Sequence, residues 1–235
     1  PFFIAVSEHV REKLLSNLKV NRNRTRVLVN TIKKDDFGPS KWLLGNYKPT
    51  EIRLVCVGRL NRVKGQDILI RAMNSEQLIN MPIKLILIGE GPDRHHLEEL
   101  INNYGLQERV ELLGNRRDIV DQLRSADIYV QPSRSEGMPV ALIEALATGL
   151  PVIVTDLPGM VDVLNIVDGL GQVVKVDDPI ELSKAISRLI TDFPYSTIQA
   201  KLSIKCSKHF SIKMSIEELQ KIYERVLLNG AGIQV

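Results

Sequence analysis

The stretch EIRLVCVGRLNRVKGQDILIRAMNSEQLINMPIKLILIGEGP, residues 51–92, sets out the folding rule of the chain. An apolar run, IRLVCVG (52–58), yields to a polar loop and then to an amphipathic run, QDILIRAMNSEQLI (66–79). A second apolar run, IKLILIG (83–89), starts the cycle again. Runs this short and this apolar make strands whose two faces must both be covered. Alternated with helices of ten or more residues, they specify a parallel sheet with helices on both sides.

The rhythm persists downstream. The helical run DRHHLEELINNYG (93–105) leads to RVELLG (109–114), RDIVDQLRSA (117–126) to DIYVQPS (127–133), and PVALIEALATG (139–149) to PVIVTDL (151–157). GMVDVLN (159–165) then leads to GQVVKVD (171–177), which PIELSKAISRLI (179–190) follows. Six β–α units predict a doubly wound α/β domain with a parallel six-stranded, Rossmann-like sheet, and ligands in such sheets bind beyond the carboxyl ends of the strands. Two more helices are predicted over 195–210 and 215–228, before NGAGIQV (229–235), which reads as a frayed end.

Ahead of this domain the pattern is strand FFIAVS (2–7), helix EHVREKLLSNL (8–18) with Ser7 at its N-cap, and strand RVLVNTI (26–32). Residues 1–38 read as the remnant of a separate domain, residues 39–50 as a linker rich in Gly and Pro, and 51–235 as the regular domain with its C-terminal helices. The chain opens on PFFIAVS rather than Met, so it is expected to be part of a longer polypeptide.

With 44% hydrophobic and 25% charged residues the chain has the balance of a soluble globular protein, and no apolar run approaches the roughly 20 residues of a membrane span. A cytoplasmic setting is expected. Cys56 and Cys206 have no metal or redox spacing and read as structural. Charge is uneven: residues 1–64 hold 14 Lys/Arg against 5 Asp/Glu, a net of +9, whereas the whole chain nets only +3. A basic end suits nucleic acid, an anionic membrane surface or ligand phosphates, and equally a solvated face. The absence of interleaved aromatics in NRNRTRVLVNTIKK (21–34) argues against nucleic acid.

In VGRLNRVKGQD (57–67) the strand ends at Gly58, leaving Arg59 and Lys64 in a loop on the ligand edge. Arg offers a bidentate fork and Lys a compact charge, a pair suited to a pyrophosphate and also to a plain basic surface. GEGPDR (89–94) lacks the third glycine of a dinucleotide fingerprint, so Gly89 serves either close approach to a ligand or a tight turn. His95 and His96 are adjacent on a helix, diverge in direction and read as surface. In SEGMPVALIEALATGLPVIV (135–154) two glutamates interrupt an apolar segment. With Pro139 at the first helical position, Glu136 lies in the loop and Glu144 inside the helix, whose free amides and dipole make an anion site. A glutamate so placed can accept from ribose hydroxyls, or can merely complement the dipole or face solvent.

Together with LIGEGPDRHHLEEL, VELLGNRRDI and VVKVDDPIELSKAI, these segments resemble, over residues 52–190, the nucleotide-binding half of retaining glycosyltransferases of the GT-B fold, family 4. Glu136 and Glu144 form that family's E-x7-E motif. The resemblance implies a UDP- or GDP-sugar donor, a glycan or lipid-linked acceptor bound through an N-terminal domain, and a role in surface polysaccharide or glycolipid synthesis, with peripheral contact at the inner face of a membrane. It implies Arg59, Lys64 and Glu136 as catalytic residues, the first two holding the diphosphate and Glu136 the sugar. Gly58, Gly89, Arg116, Gly137, Met138, Val140 and Glu144 would bind substrate, with Glu144 on the ribose and backbone near Arg116 facing the base. No metal or other cofactor is expected. The chain departs from the pattern at NTIK (30–33), where only Asn30 of the usual NGVD remains, and near GMVDVL (159–164), where Asp162 replaces the usual Pro-Glu. Lacking most of the acceptor-binding domain, the chain is expected to bind donor better than it catalyses. The competing readings are a nucleotide-sugar epimerase of the same fold, which the E-x7-E motif disfavours, and a non-catalytic α/β docking module that uses the basic end.

Overall fold

A computed structural model describes residues 1–33, 50–167, 171–192, 205–206 and 208–230. Strands β1 (Phe3–Ala5) and β2 (Thr25–Val27) pair in parallel around helix α1 (Glu8–Leu18). Ser7 caps α1, its Oγ accepting the Val10 amide at 3.2 Å. Strand β2 is shorter than RVLVNTI suggested. Beyond Leu28, whose amide donates to Ala5, the chain leaves the small sheet, and Ile32 pairs instead with Ser211 near the C-terminus.

The main sheet consists of β3 (Ile52–Val57), β4 (Ile83–Ile88), β5 (Val110–Gly114), β6 (Ile128–Gln131), β7 (Val152–Thr155) and β8 (Gln172–Val174). All are parallel, in the order β5-β4-β3-β6-β7-β8. Alternate side chains go to opposite faces. Leu54, Cys56, Leu85, Leu87 and Val130 join a core with helices α2 (Gln66–Met73), α3 (Arg94–Asn103) and α7 (Pro179–Asp192). Val55, Ile86, Tyr129 and Val154 join a second core with α4 (Ile119–Ser125), α5 (Val140–Ala147) and α6 (Pro158–Ile166). This is the two-sided burial that the strands' composition required. Both cysteines are buried and free; burial pushes each thiol up to about 12, so both are inert packing groups.

Several helix ends differ from expectation. Helix α2 stops at Met73 rather than Ile79, because 74–81 fold into turns and bends whose carbonyls at Leu78, Ile79 and Met81 are capped by the Arg109 guanidinium. Helix α8 (Ile212–Gly230) starts before Ser215 and takes in Asn229 and Gly230, which had read as tail. Most of the linker (39–49) and of the helix expected over 195–210 lies outside the described residues. No helix among the described residues is long and apolar enough to cross a membrane.

Leu54 on β3 is wholly buried whereas Leu18 on α1 is 62% exposed. Leu54→Ala should cost about 2–5 kcal/mol, the transfer and cavity cost of a core leucine, and Leu18→Ala should stay within about 0.5 kcal/mol. Denaturant midpoints at unchanged slope measure both; equal effects would mean that β3 is not the centre of the core.

Candidate functional site

Because β3 and β6 pair although chain order reverses between them, the loops at their carboxyl ends, 58–65 and 132–139, lie side by side. Gly65 is what lets them close. It has φ +69°, and a Cβ there would stand 2.0 Å from the Pro132 carbonyl oxygen. The Arg134 amide donates to Val63 O at 2.7 Å. Its guanidinium grips Asp67 through two bonds of 2.8 Å and reaches Asp177 at 2.6 Å. Burial alone would raise the Asp67 carboxyl, yet the hydrogen bonds and charge of Arg134 outweigh it and hold the group below its ordinary value. Gly89 answers the choice that its motif left open. At φ +139° a Cβ would meet Gly58 O at 2.1 Å, so loop-on-loop packing alone requires glycine here.

Across this seam Lys64 and Glu136 face one another. Glu136 is 8% exposed, and its Oε1 accepts from Lys64 Nζ at 2.7 Å, Gln131 Nε2 at 2.7 Å and Ser133 Oγ at 2.8 Å. No hydrogen bond reaches Oε2 among the described residues. Pro139 occupies the N-cap with extended backbone, not the first helical position, so α5 starts one residue later than expected. No side chain caps that end, and its first amides, Val140 included, are free of any such partner. Asn30 Nδ2 donates to Met138 O at 2.6 Å, and Val6 and Val10 lie over Gly137, so the N-terminal segment bears directly on this loop.

Glu144 stands in the second turn of α5, half-buried, with no hydrogen bond or ion pair to its carboxylate among the described residues. Burial pushes its carboxyl up. It is only partly open to solvent and pairs with no cation among the described residues, which leaves a partly desolvated acceptor. Arg59 is exposed, its guanidinium likewise without a partner among the described residues. A cleft of about 360 Å³ gathers Gly58, Arg59, Gly89 and Arg116 with Val57, Ile88, Glu90, Asn115 and Ile119. The Arg116 guanidinium is engaged with Asp118 by two bonds of 2.8 Å, with its backbone and remaining donors at the cleft. Asp162 lies on α6, and His95 and His96 are exposed on α3, as their adjacency implied.

Four residues here went unread in the sequence: Tyr129, Gln131, Ser133 and Arg134. Gln131 carried a usable signal, since a polar side chain at a doubly covered strand position must have a partner. Arg134 carried none, because its partner Asp67 is remote in sequence.

Residues 45–203 match the family model described as "Glycosyl transferases group 1". The chain is 27% identical over 226 residues, 95% of its length, to the phosphatidylinositol N-acetylglucosaminyltransferase gpi3 subunit of Schizosaccharomyces pombe, covering 48% of that protein. It is 27% identical over 179 residues, 73% of its length, to the lipopolysaccharide core biosynthesis mannosyltransferase LpsB of Rhizobium meliloti, covering 51%. The chain thus spans about half the length of these relatives. Among solved structures, Anabaena Alr3699/HepE in complex with UDP and glucose superposes with a TM-score of 0.82 at 22% identity, over 95% of this chain and 62% of that one. That likeness, shared by other GT-B structures, concerns the fold.

The Arg134 clamp has a pH signature. Asp67 is depressed, so its contribution to stability is fully present above its ordinary value of 3.8 and is lost as pH falls through the lower folded value. Arg134→Met should therefore cost about 1–3 kcal/mol at pH 7, with the gap to the parent narrowing below pH 3.8. Urea titrations across pH test this; a gap independent of pH would remove Asp67 from the account.

Proposed function

The chain belongs to the group 1 glycosyl transferases, and from that premise we propose that it is the donor-binding portion of a retaining, family 4 enzyme that moves a sugar from UDP or GDP to a glycan or lipid-linked acceptor. Glu144 carries this reading. A half-buried carboxylate raised by desolvation, with no partner among the described residues, lies in a helix whose uncapped amino end opens on the Lys64–Glu136 pair. Vicinal hydroxyls of a ribose supply the two donors that such a carboxylate lacks.

The remaining roles follow from charge. Arg59 and Lys64 meet the diphosphate and stabilise the negative charge that grows as it departs. The amides at Gly137, Met138 and Val140 add the positive end of the helix dipole. Glu136 contacts the donor sugar, and the cleft by Gly58, Gly89 and the Arg116 backbone takes the base. In this reading protein cations and amides balance the diphosphate, and no metal or other cofactor is invoked. The names of the two relatives, one for phosphatidylinositol and one for lipopolysaccharide core, support a lipid-bearing acceptor. The basic segment 1–64 would then hold the enzyme at the cytoplasmic face of a membrane, as a peripheral protein and without nucleic acid as a partner. Residues 1–38 are assigned to the acceptor-binding half, residues 39–50 to the linker and 51–235 to the donor-binding domain. Transfer needs the acceptor-binding half complete.

Calorimetric titration with UDP and GDP should show binding of at least one. Glu144→Gln should weaken it about tenfold or more, the loss of charge-assisted hydrogen bonds. Because the folded carboxyl is raised, the native state bears a cost of ionisation above its folded pKa, so the same variant should be no less stable than the parent at pH 7 and is expected to be more so. Glu144→Gln that destabilises without weakening nucleotide binding would make the residue structural. In the complete enzyme, Glu136→Gln should slow transfer while leaving UDP or GDP affinity within about threefold, an energy difference below 1 kcal/mol. Equal losses of rate and affinity would contradict that division.

A further inference from the structure

Glu136 is held by a chain of buried polar groups whose direction is forced. Tyr129 is wholly buried in β6, and its phenol oxygen lies 2.8 Å from Gln131 Oε1. Gln131, 3% exposed at the end of the same strand, sends Nε2 to Glu136 Oε1 at 2.7 Å. An ionised carboxylate only accepts, so the Gln131 amide must turn its NH2 toward Glu136 and its oxygen toward Tyr129. The phenol must then donate and stay protonated. Burial first, and the nearby charges of Glu136 and Glu144 after it, push the phenol well above its ordinary range and keep that proton in place.

Strand periodicity explains how the parts meet. Tyr129 and Gln131 are two residues apart on β6 and so share one face of the sheet, the face that α5 covers. Ser133 follows by the same step and adds its hydroxyl to the same carboxylate oxygen. Lys64 completes the set from across the seam. All of these bonds fall on Oε1, and the side chain is nearly buried, so its rotation is blocked while Oε2 has no partner among the described residues. Core packing alone does not account for this arrangement, since leucine at 131 and phenylalanine at 129 would fill the same space without desolvating three polar groups.

Resting on the donor-site reading above, we propose that Tyr129 and Gln131 are positioning residues, a relay that fixes Glu136 by one oxygen and presents the other to a hydroxyl of the donor sugar. Tyr129 sets the orientation of the Gln131 amide, Gln131 sets the carboxylate, and neither touches the nucleotide. Their removal should cost the interaction with the sugar and spare that with the nucleoside diphosphate.

The test compares UDP with UDP-glucose and GDP with GDP-mannose by calorimetry, on the parent, Gln131→Met, Tyr129→Phe and the double variant. The readout is the ratio of sugar-nucleotide to nucleotide affinity. Gln131→Met should reduce that ratio about tenfold, roughly one charge-assisted hydrogen bond, with UDP or GDP affinity changed less than twofold. Tyr129→Phe should reduce it by a smaller factor, about threefold, because the amide remains but loses its orientation. The double variant should match Gln131→Met alone, since the two residues act in series. Should Gln131→Met fail to fold, Tyr129→Phe carries the same comparison. Parallel losses for nucleotide and sugar nucleotide, or multiplicative losses in the double variant, would overturn the relay. A parent chain that binds none of the four probes would instead overturn the donor-site reading on which the relay depends.

Discussion

The pairing of β3 with β6 is the constraint from which the site follows. Leu54 lies opposite Ile128 and Val55 opposite Tyr129, although two β–α units intervene in the chain. Helix α2 leaves β3 toward one core and α5 leaves β6 toward the other, so their loops part above the sheet and open a crevice. Adjacent parallel strands hold those loops close, and the backbone must approach without side chains between. Gly65 against Pro132 meets that demand. The Arg134–Asp67 clamp then turns proximity into a fixed geometry, with both partners largely withdrawn from water. The clamp is net favourable, since the Asp67 carboxyl is held below its ordinary value although burial alone would raise it. Its effect is registration: it sets where residues 132–139 stand relative to 58–65.

Within that frame two glutamates on one short segment acquire opposite surroundings. Glu136 is held by three donors from two loops and a strand end, whereas Glu144 on α5 has none among the described residues. The difference is positional. The loop carries Glu136 across the seam to Lys64, while Glu144 is fixed by helical geometry to a surface of small residues and meets no donor among the described ones. A folded chain tolerates the second arrangement only at a cost in stability, which in the proposed reading the bound ribose repays.

The fold was legible because burial on both faces writes itself into strand composition. IRLVCV and IKLILI could not be half-exposed, and the helices between them matched the period that their cores require. Ser7 was legible for a similar reason, since capping is local. What escaped was either a boundary set by tertiary contact or a pairing remote in sequence. RVLVNTI has strand composition throughout, yet Ile32 is drawn away to Ser211 by a contact no local rule contains. Helix α2 ends where Arg109, two β–α units on, supplies caps for its following turns. The site divided along the same line. Arg59, Lys64, Glu136 and Glu144 stood out as charges beside apolar segments, whereas Tyr129 and Gln131 passed as ordinary strand residues because their polarity is satisfied only in three dimensions.

In the proposed reading the Lys64–Glu136 pair also bears on how the site would admit a dianionic ligand. A salt bridge across the mouth of a phosphate site can act as a latch that binding must break, or as a shared cation that binding extends. An ammonium group carries three donors, and among the described residues Lys64 has one acceptor side chain, Glu136, with the lysine side chain 28% exposed. Two donors therefore remain for incoming oxygens without loss of the existing bond. Breaking the pair would moreover leave Glu136 as a nearly buried charge still held by Gln131 and Ser133, a penalty of several kcal/mol in sites of this kind. Extension is thus the less costly course. In the proposed reading the diphosphate and Glu136 would share Lys64, so that the cation which draws in the phosphates is the same one that helps hold the carboxylate facing the sugar.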